Sequence, residues 1–435
     1  MRISTLQAFN NGVAGLQRNY ANATRTQEQI STGNRILTPA DDPVASVRLL
    51  QLDQQQNVLS QYNANLTAAD SSLVQEESTL NSVNTVLLRV RELALRAGNG
   101  SLDAEDRKSI AAELREREDE LLSLMNTRNA RGEYLFSGFQ GKTQPFVRAA
   151  DGSYSYQGDE GQRKLQIASS LNIPISDSGK SIFENVTNAG RLASALDTSG
   201  ITPGDVSTLA VSKPLVGDEV AFSGSPAFPA EGVEILFEDD GSYSIYGLPR
   251  TAGDTALPDG QNFKMDDDAE RSDSLVFRGV TLQFDGTPVG GERIVVMPGA
   301  GITIDPVTGD ASAEPVQNKQ GILDTIANLR KTLEDPSSSN ADIRDSVAVS
   351  LTNLDHGMVS VDAARGNIGA RRNVIETTLT DNEDVALVNK SVQAELRELD
   401  YAEALSRLSF QTVILEAAQQ SYVKISGLNL FNAMR

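Results

Sequence analysis

Three short stretches hold side chains that could do chemistry. "STGNRILTPADDPVAS", residues 31–46, sets two adjacent carboxylates, Asp41 and Asp42, among Gly33, Pro39 and Pro43. "MDDDAE", residues 265–270, gathers Asp266, Asp267, Asp268 and Glu270. The single histidine, His356, stands beside Gly357. Paired carboxylates can share a proton in acid–base work, several together can supply the oxygens a hard cation needs, and a histidine can act as a general base.

Each stretch also has a plainer reading. Gly33 stands where a glycine releases a helix C-terminus, and Asp42 followed by Pro43 is an N-cap with a first-turn proline. Residues 31–46 thus stop one helix and start another, their Asp side chains satisfying backbone N–H groups. The acidic run lacks the spacing and turn glycine of an EF-hand loop and reads as a solvated loop. His356 has no nucleophile at a recognisable spacing and reads as a surface side chain. The chain contains no glycine-rich phosphate loop, Ser elbow or HExxH. We therefore expect a non-enzymatic protein with no catalytic residue, cofactor or metal.

The elements around these stretches are helical at both ends. Ile3, Leu6, Phe9, Val13, Leu16, Tyr20, Ala23 and Ile30 recur mostly at gaps of three or four, one narrow stripe on a polar helix. One such seam leaves an isolated helix marginal, to be ordered by neighbours. From Pro43 to Ala97 a second run (Leu59, Tyr62, Leu66, Ala69, Leu73, Leu80, Val83, Leu87, Val90, Ala94) keeps the spacing if Glu76 fills the one polar slot. At 1.5 Å per residue that helix is ~80 Å long. Gly98 and Gly100 end it, Ser101 or Asp103 caps the next, and that one runs to about Asn129. Beyond Arg131 the pattern becomes Gly-punctuated and alternating. "DGSYSYQG" at Asp151 is echoed by "DGSYSIYG" at Asp240, each an Asp-Gly turn feeding a strand. Helix returns near Val316, breaks before Pro336, restarts near Asn340, and continues through a last stripe that includes Leu396, Leu399, Leu405, Leu408, Leu415, Tyr422 and Ile425.

The fold expected is mainly α with an inserted β-rich domain, the N- and C-terminal arms forming a long antiparallel helical rod. Its divisions are residues 1–42 with 396–435 as terminal helical segments, 43–187 with 315–395 as a rod carrying a β-hairpin, and 188–314 as the β-rich outer domain. The chain has 435 residues, net charge −21, no cysteine and no tryptophan. Such acidity repels phosphate backbones and anionic lipid, so neither nucleic acid nor a membrane surface is expected as a partner. The absence of cysteine removes disulfides and thiolate ligands. "MRISTLQAFNNGVAGLQ" has no basic region followed by an apolar core, so a cytoplasmic protein, or export without a cleaved signal peptide, is expected.

An ordered set of motifs runs along both helical ends: "MRIST", "STGNRILTPADDPVAS", "YLFSG" with "PF", "YQGD", "RGNIGARRN", "ELDYAEALSRLSFQTVILEAAQQSY" and "LNLFNAMR". With these the chain resembles the flagellar hook-associated protein 3 family, the hook–filament junction proteins related to bacterial flagellin. "FRGVTLQFDGTPVGGERIVV" is similar to a β segment of that family, with Gly291-Glu292 where Gly-Asp is expected. The resemblance implies a flagellin-like structural subunit, exported unfolded through the type III export apparatus and placed extracellularly at the hook end. Implied partners are flagellin, hook-associated protein 1, further copies in a ring, and a cytoplasmic export chaperone on the C-terminal helix. The terminal stripes would carry subunit packing, and Gly33, Asp41, Asp42 and Pro43 an inter-helix hinge. A flagellin filament subunit and an acidic metal-binding adhesin stand as alternatives.

Overall fold

The structure, a computed structural model, describes residues 2–433 other than 203, 205, 252, 266–271 and 306–308, and leaves aside the side chains of residues 2–6, 8 and 425–433. The carboxylates of "MDDDAE" therefore lie outside the described residues. Three helices open the chain: α1 (Arg2–Thr32), α2 (Pro43–Ala97) and α3 (Ala104–Met125). Then come β1 (Phe146–Arg148), β2 (Tyr154–Tyr156), β3 (Lys164–Gln166), β4 (Asn172–Pro174) and a π-helical turn at Lys180–Glu184. A β-rich segment carries β5 (Leu192–Asp197), β6 (Ala210–Val211), β7 (Leu215–Val216), the single turn α4 (Glu219–Phe222), β8 (Val233–Phe237), β9 (Ser242–Gly247) and β10 (Phe263–Lys264). It continues through β11 (Asp273–Phe277), β12 (Val280–Asp285), β13 (Arg293–Pro298), β14 (Ala300–Ile304) and β15 (Ala311–Glu314). Helices α5 (Ile322–Glu334), α6 (Asn340–Arg397) and α7 (Tyr401–Ala433) follow. The expected order, helix, β insertion, helix, is the observed one.

Two compact units emerge: the first spans Met1–Thr67, Gln166–Leu171 and Val374–Arg435, the second Ala68–Leu165 and Asn172–Asn373. In the second unit, Ala69, Leu73, Leu80, Val83, Leu87, Val90 and Ala94 of α2 are buried at the expected spacing. Glu76, the polar slot in that stripe, is only 1% exposed. Its Oε1 accepts the Asp177 N–H at 3.1 Å, while the Asp177 carboxylate takes both Arg371 Nη atoms at 2.8 and 3.0 Å and Gln162 Nε2 at 2.6 Å. Burial, reinforced by the Asp177 charge, pushes the Glu76 carboxyl up to about 8 against the pull of Arg371 and Arg163.

Helix α3 starts where Asp103 Oδ1 accepts the Glu105 and Asp106 amides at 2.9 and 2.8 Å, so Asp103 rather than Ser101 is the cap. It stops at Met125, short of Asn129, because the Asn126 amide leaves the helix to clamp β1: its Nδ2 donates to the Phe146 carbonyl and its Oδ1 accepts the Phe146 N–H, each at 3.0 Å. Within α3, Glu118 is fully buried and is met by Arg330 Nε of α5 at 2.9 Å, Arg148 Nη2 of β1 at 2.9 Å and the Tyr154 hydroxyl of β2. A buried carboxylate of this kind is tolerated because its oxygens are all engaged.

The two echoed stretches make the same turn. Asp151 Oδ1 accepts the Ser153 N–H at 2.9 Å between β1 and β2, and Asp240 Oδ1 accepts the Ser242 N–H at 3.0 Å between β8 and β9. Five strands pair in the order β10-β9-β8-β13-β5, and a second sheet runs β11-β12-β6 with β7 also on β12. Alternate residues face a shared core: Ile235 and Phe237 of β8, Tyr243 of β9, Phe277 of β11, Leu282 and Phe284 of β12, and Ile294 of β13. Phe237, Tyr243 and Phe284 meet with centroids 5.2–5.8 Å apart. On the other face of β8, buried Glu234 is held by Arg250 at 2.6 Å and Arg293 at 3.1 Å. His356 is half-buried rather than on the surface, its Nδ1 donating to the Thr187 carbonyl at 3.1 Å; packing of α6 against residues 187–190 draws it in.

Candidate assembly site

The first unit contains both chain ends and the residues 31–46 stretch. Helix α1 ends where Gly33, at φ +71°, donates its N–H to the Gln29 carbonyl at 2.9 Å. Asp41 Oδ2 accepts the Leu37 and Thr38 amides, each at 2.9 Å, and the same carboxylate pairs with Arg25 of α1. Asp42 Oδ1 accepts the Ala45 N–H at 3.0 Å, and Pro43 is the first residue of α2. These carboxylates are committed to backbone donors and an arginine, so they hold a turn. Among the described residues no group of three or more His, Cys, Asp or Glu could hold a metal ion.

The periodicity gave no warning of the break between α6 and α7. The apolar stripe from Leu396 to Leu405 crosses residues 398–400, where the helix is interrupted. There the chain pairs with the segment after α1: Arg35 N–H donates to the Arg397 carbonyl at 2.8 Å, Leu399 N–H to the Gly33 carbonyl at 3.0 Å, and Arg35 Nη2 to the Leu396 carbonyl at 3.0 Å. Gln29 Nε2 closes the turn from inside, donating to the Arg35 carbonyl at 2.6 Å. Asp400 then caps α7, accepting the Glu403 N–H at 3.1 Å. The signal was present as Asp400-x-x-Glu403, a capping pattern, but unbroken spacing concealed it.

From this junction α1 and α7 run antiparallel, since Gly33 meets Leu399 at one end and the Phe9 ring meets the Tyr422 ring at a tilt of 44° at the other, centroids 5.3 Å apart. The less exposed positions of α7 are Ala404, Leu408, Gln411, Leu415, Ala418 and Tyr422, alternating by four and three; on α1 they include Val13, Leu16, Ala23 and Thr26. Leu399 is buried and Leu396 partly so, while Tyr20 and Phe9 are largely exposed. Leu405 falls one position off the seam and is 53% exposed, alongside Phe410 at 68% and Val413, Ile414 and Val423. The side chains of Ile3, Leu6 and Ile425 lie outside the described residues. Val44, Val47 and Leu50 of α2 and Leu387 and Val388 of α6 add exposed apolar groups in the same unit. These outward apolar side chains are left uncovered by the α1–α7 pairing. Among the described residues no helix is long and apolar enough to cross a membrane.

Residues 3–141 match the bacterial flagellin N-terminal helical region. The chain is 35% identical over 188 residues to flagellar hook-associated protein 3 of Salmonella typhimurium, an overlap covering 43% of this chain and 58% of that protein. It thus spans little more than half the length of the curated relatives it matches. The crystal structure of flagellar hook associated protein-3 from Legionella pneumophila aligns with a TM-score of 0.60 at 25% identity, covering 80% of this chain and 98% of that one. That of the flagellar junction protein from the same species aligns at 0.58 and 26%, covering 81% and 100%. The fold is flagellin-like: a helical terminal region with a β-rich insertion.

Proposed function

We propose that this chain, a homologue of flagellar hook-associated protein 3, is a non-enzymatic structural subunit of the bacterial flagellum that joins hook to filament. The observation that carries this reading is the paired terminal helices, which bury one seam and still present Leu405, Phe410 and Val413 to their surroundings. Subunit packing runs through the stripes at Ile3 to Tyr20 and Leu396 to Ile425, and Gly33, Asp41, Asp42 and Pro43 set the angle between successive helices. Residues 1–42 with 396–435 form the assembly segments, 43–187 with 315–395 the rod, and 188–314 the outer domain. The partners are flagellin, hook-associated protein 1 and further copies in a ring. Before assembly the chain passes unfolded through the type III apparatus, with a chaperone on its C-terminal helix, to an extracellular position.

Incorporation at hook ends tests the reading. Leu405→Asp leaves the monomer's circular dichroism and melting unchanged, because Leu405 is off the seam, yet abolishes incorporation. Leu16→Asp abolishes it while also loosening the α1–α7 pair. Normal incorporation of both variants would sink the assignment. The match to the flagellin N-terminal region supports a second reading, a filament subunit; growth of long filaments by the purified chain alone would favour it.

A further inference from the structure

In the second unit a cavity of about 480 Å³ opens between α5, α6 and the root of the β-rich segment, within the ~300–1,000 Å³ range of small-molecule sites. Its lining mixes polar side chains with apolar surface that includes Val316 and Val349. Lys213, from the β6–β7 connection, reaches it with an ammonium that has no carboxylate within ion-pair distance among the described residues. Burial pulls the Lys213 ammonium below its ordinary value, and Asp345 attracts it from beyond contact. Asp345 of α6 uses Oδ2 to accept the Lys213 backbone N–H at 2.9 Å, and burial pushes its carboxyl up. Asn353, 1% exposed, spends its Oδ1 on the Ala189 N–H at 2.7 Å, leaving its Nδ2 only two contacts of 3.5 Å. Ser350, 3% exposed, lines the same wall.

Among the described residues the half-buried Lys213 ammonium is free of any ion pair and Asn353 Nδ2 makes only two long hydrogen bonds of 3.5 Å, so both donors on this wall have capacity for ligand oxygens. We infer that this cavity binds a small polyhydroxylated molecule, the chemistry of a monosaccharide. Separate hydroxyls of one such molecule accept from Lys213 Nζ and Asn353 Nδ2 and donate to the Asp345 carboxylate, which lies about two helical turns from Asn353 on α6, and the molecule's C–H face meets Val349 between them. Hydroxyls do both jobs at once. An inorganic anion does not match this lining, because Asp342 and Asp345 stand against the single cation Lys213.

The inference is independent of the assembly reading. The full chain is titrated with glucose, N-acetylglucosamine, galacturonate and inorganic phosphate, followed by saturation-transfer NMR and calorimetry. At least one sugar binds at millimolar concentration or better. Lys213→Met weakens it by ~10-fold or more, the loss of about one charge-assisted hydrogen bond. Asn328→Trp, at an exposed α5 position on the cavity's lining, blocks binding without touching the buried network. Circular dichroism melts of both variants match the parent. No response to any sugar would mean that water alone fills the cavity and would overturn the proposal. Binding that survives both substitutions, or binding of phosphate without sugar, would overturn it as well. None of these outcomes bears on incorporation at the hook end.

Discussion

Replacing Glu76 by Gln separates a proton from a charge in the core of α2. In the folded protein Glu76 holds its proton to about pH 8, against 4.5 for an unperturbed glutamate. A folded-state value raised this way adds stability that is complete below the unfolded value and is lost as pH rises through the folded one. The loss runs at about 1.4 kcal/mol per pH unit, so between pH 5 and 7 it comes to about 2–3 kcal/mol. Gln keeps an oxygen for the Asp177 N–H and has nothing to titrate. Asp177, Arg371 and Arg163, the charged groups around the site, are common to both proteins, so to first order their titrations cancel. Urea unfolding at several pH values, followed by far-ultraviolet circular dichroism and by exchange of the amides around Asp177, reads the difference. Parent and Glu76→Gln should lie close together near pH 5 and separate by about 2–3 kcal/mol at pH 7, with the variant the more stable. Parallel pH profiles would refute the reasoning and place an ionised Glu76 in the fold.

Two further outcomes concern the turn between α1 and α2. Asp42→Ala removes the acceptor of the Ala45 N–H and should cost about 1 kcal/mol, seen as faster exchange over the first turn of α2. Gly33→Ala places a Cβ at φ +71° and 2.8 Å from the Tyr401 hydroxyl. A cost of about 1–2 kcal/mol is expected, with lost protection of the Leu399 amide as the local readout. An unchanged Leu399 amide would show that the pairing does not depend on the glycine.

Much of the architecture was legible from local chemistry. Asp42-Pro43 announces the start of α2 at the residue where it starts, and the Asp-Gly-Ser-Tyr echo announces two hairpin turns through a side-chain oxygen that both turns use. What escaped are features made by distant partners. The break before α7 is masked because Leu396, Leu399 and Leu405 keep helical spacing across it, so the Asp400-x-x-Glu403 cap goes unread, and the backbone pairing with residues 33–35 shows why the helix stops. Leu405 looks like Leu408 in sequence, but Leu405 stands one position past the seam residue Ala404, about 100° around the helix, and so faces outward while Leu408 stays in the seam. Glu76 registered as an exception without a reason until Asp177 and Arg371, roughly a hundred and three hundred residues away, were seen beside it. The cavity at Lys213 has no motif at all.

The pairing of Arg35 with Leu396 joins residues 361 positions apart. A ribosome delivers α1 and its turn first and their partners last. Throughout that interval the α1 seam stays uncovered and the Arg35 amide has no acceptor. Exposed apolar stripes and unpaired backbone are what holdases and proteases engage. A chain cut short before Arg397 can never close this junction, however well its β-rich segment folds. The closure thus ties the order of α1 to the arrival of residues at least 361 positions later, so that neither helix is settled until both are present.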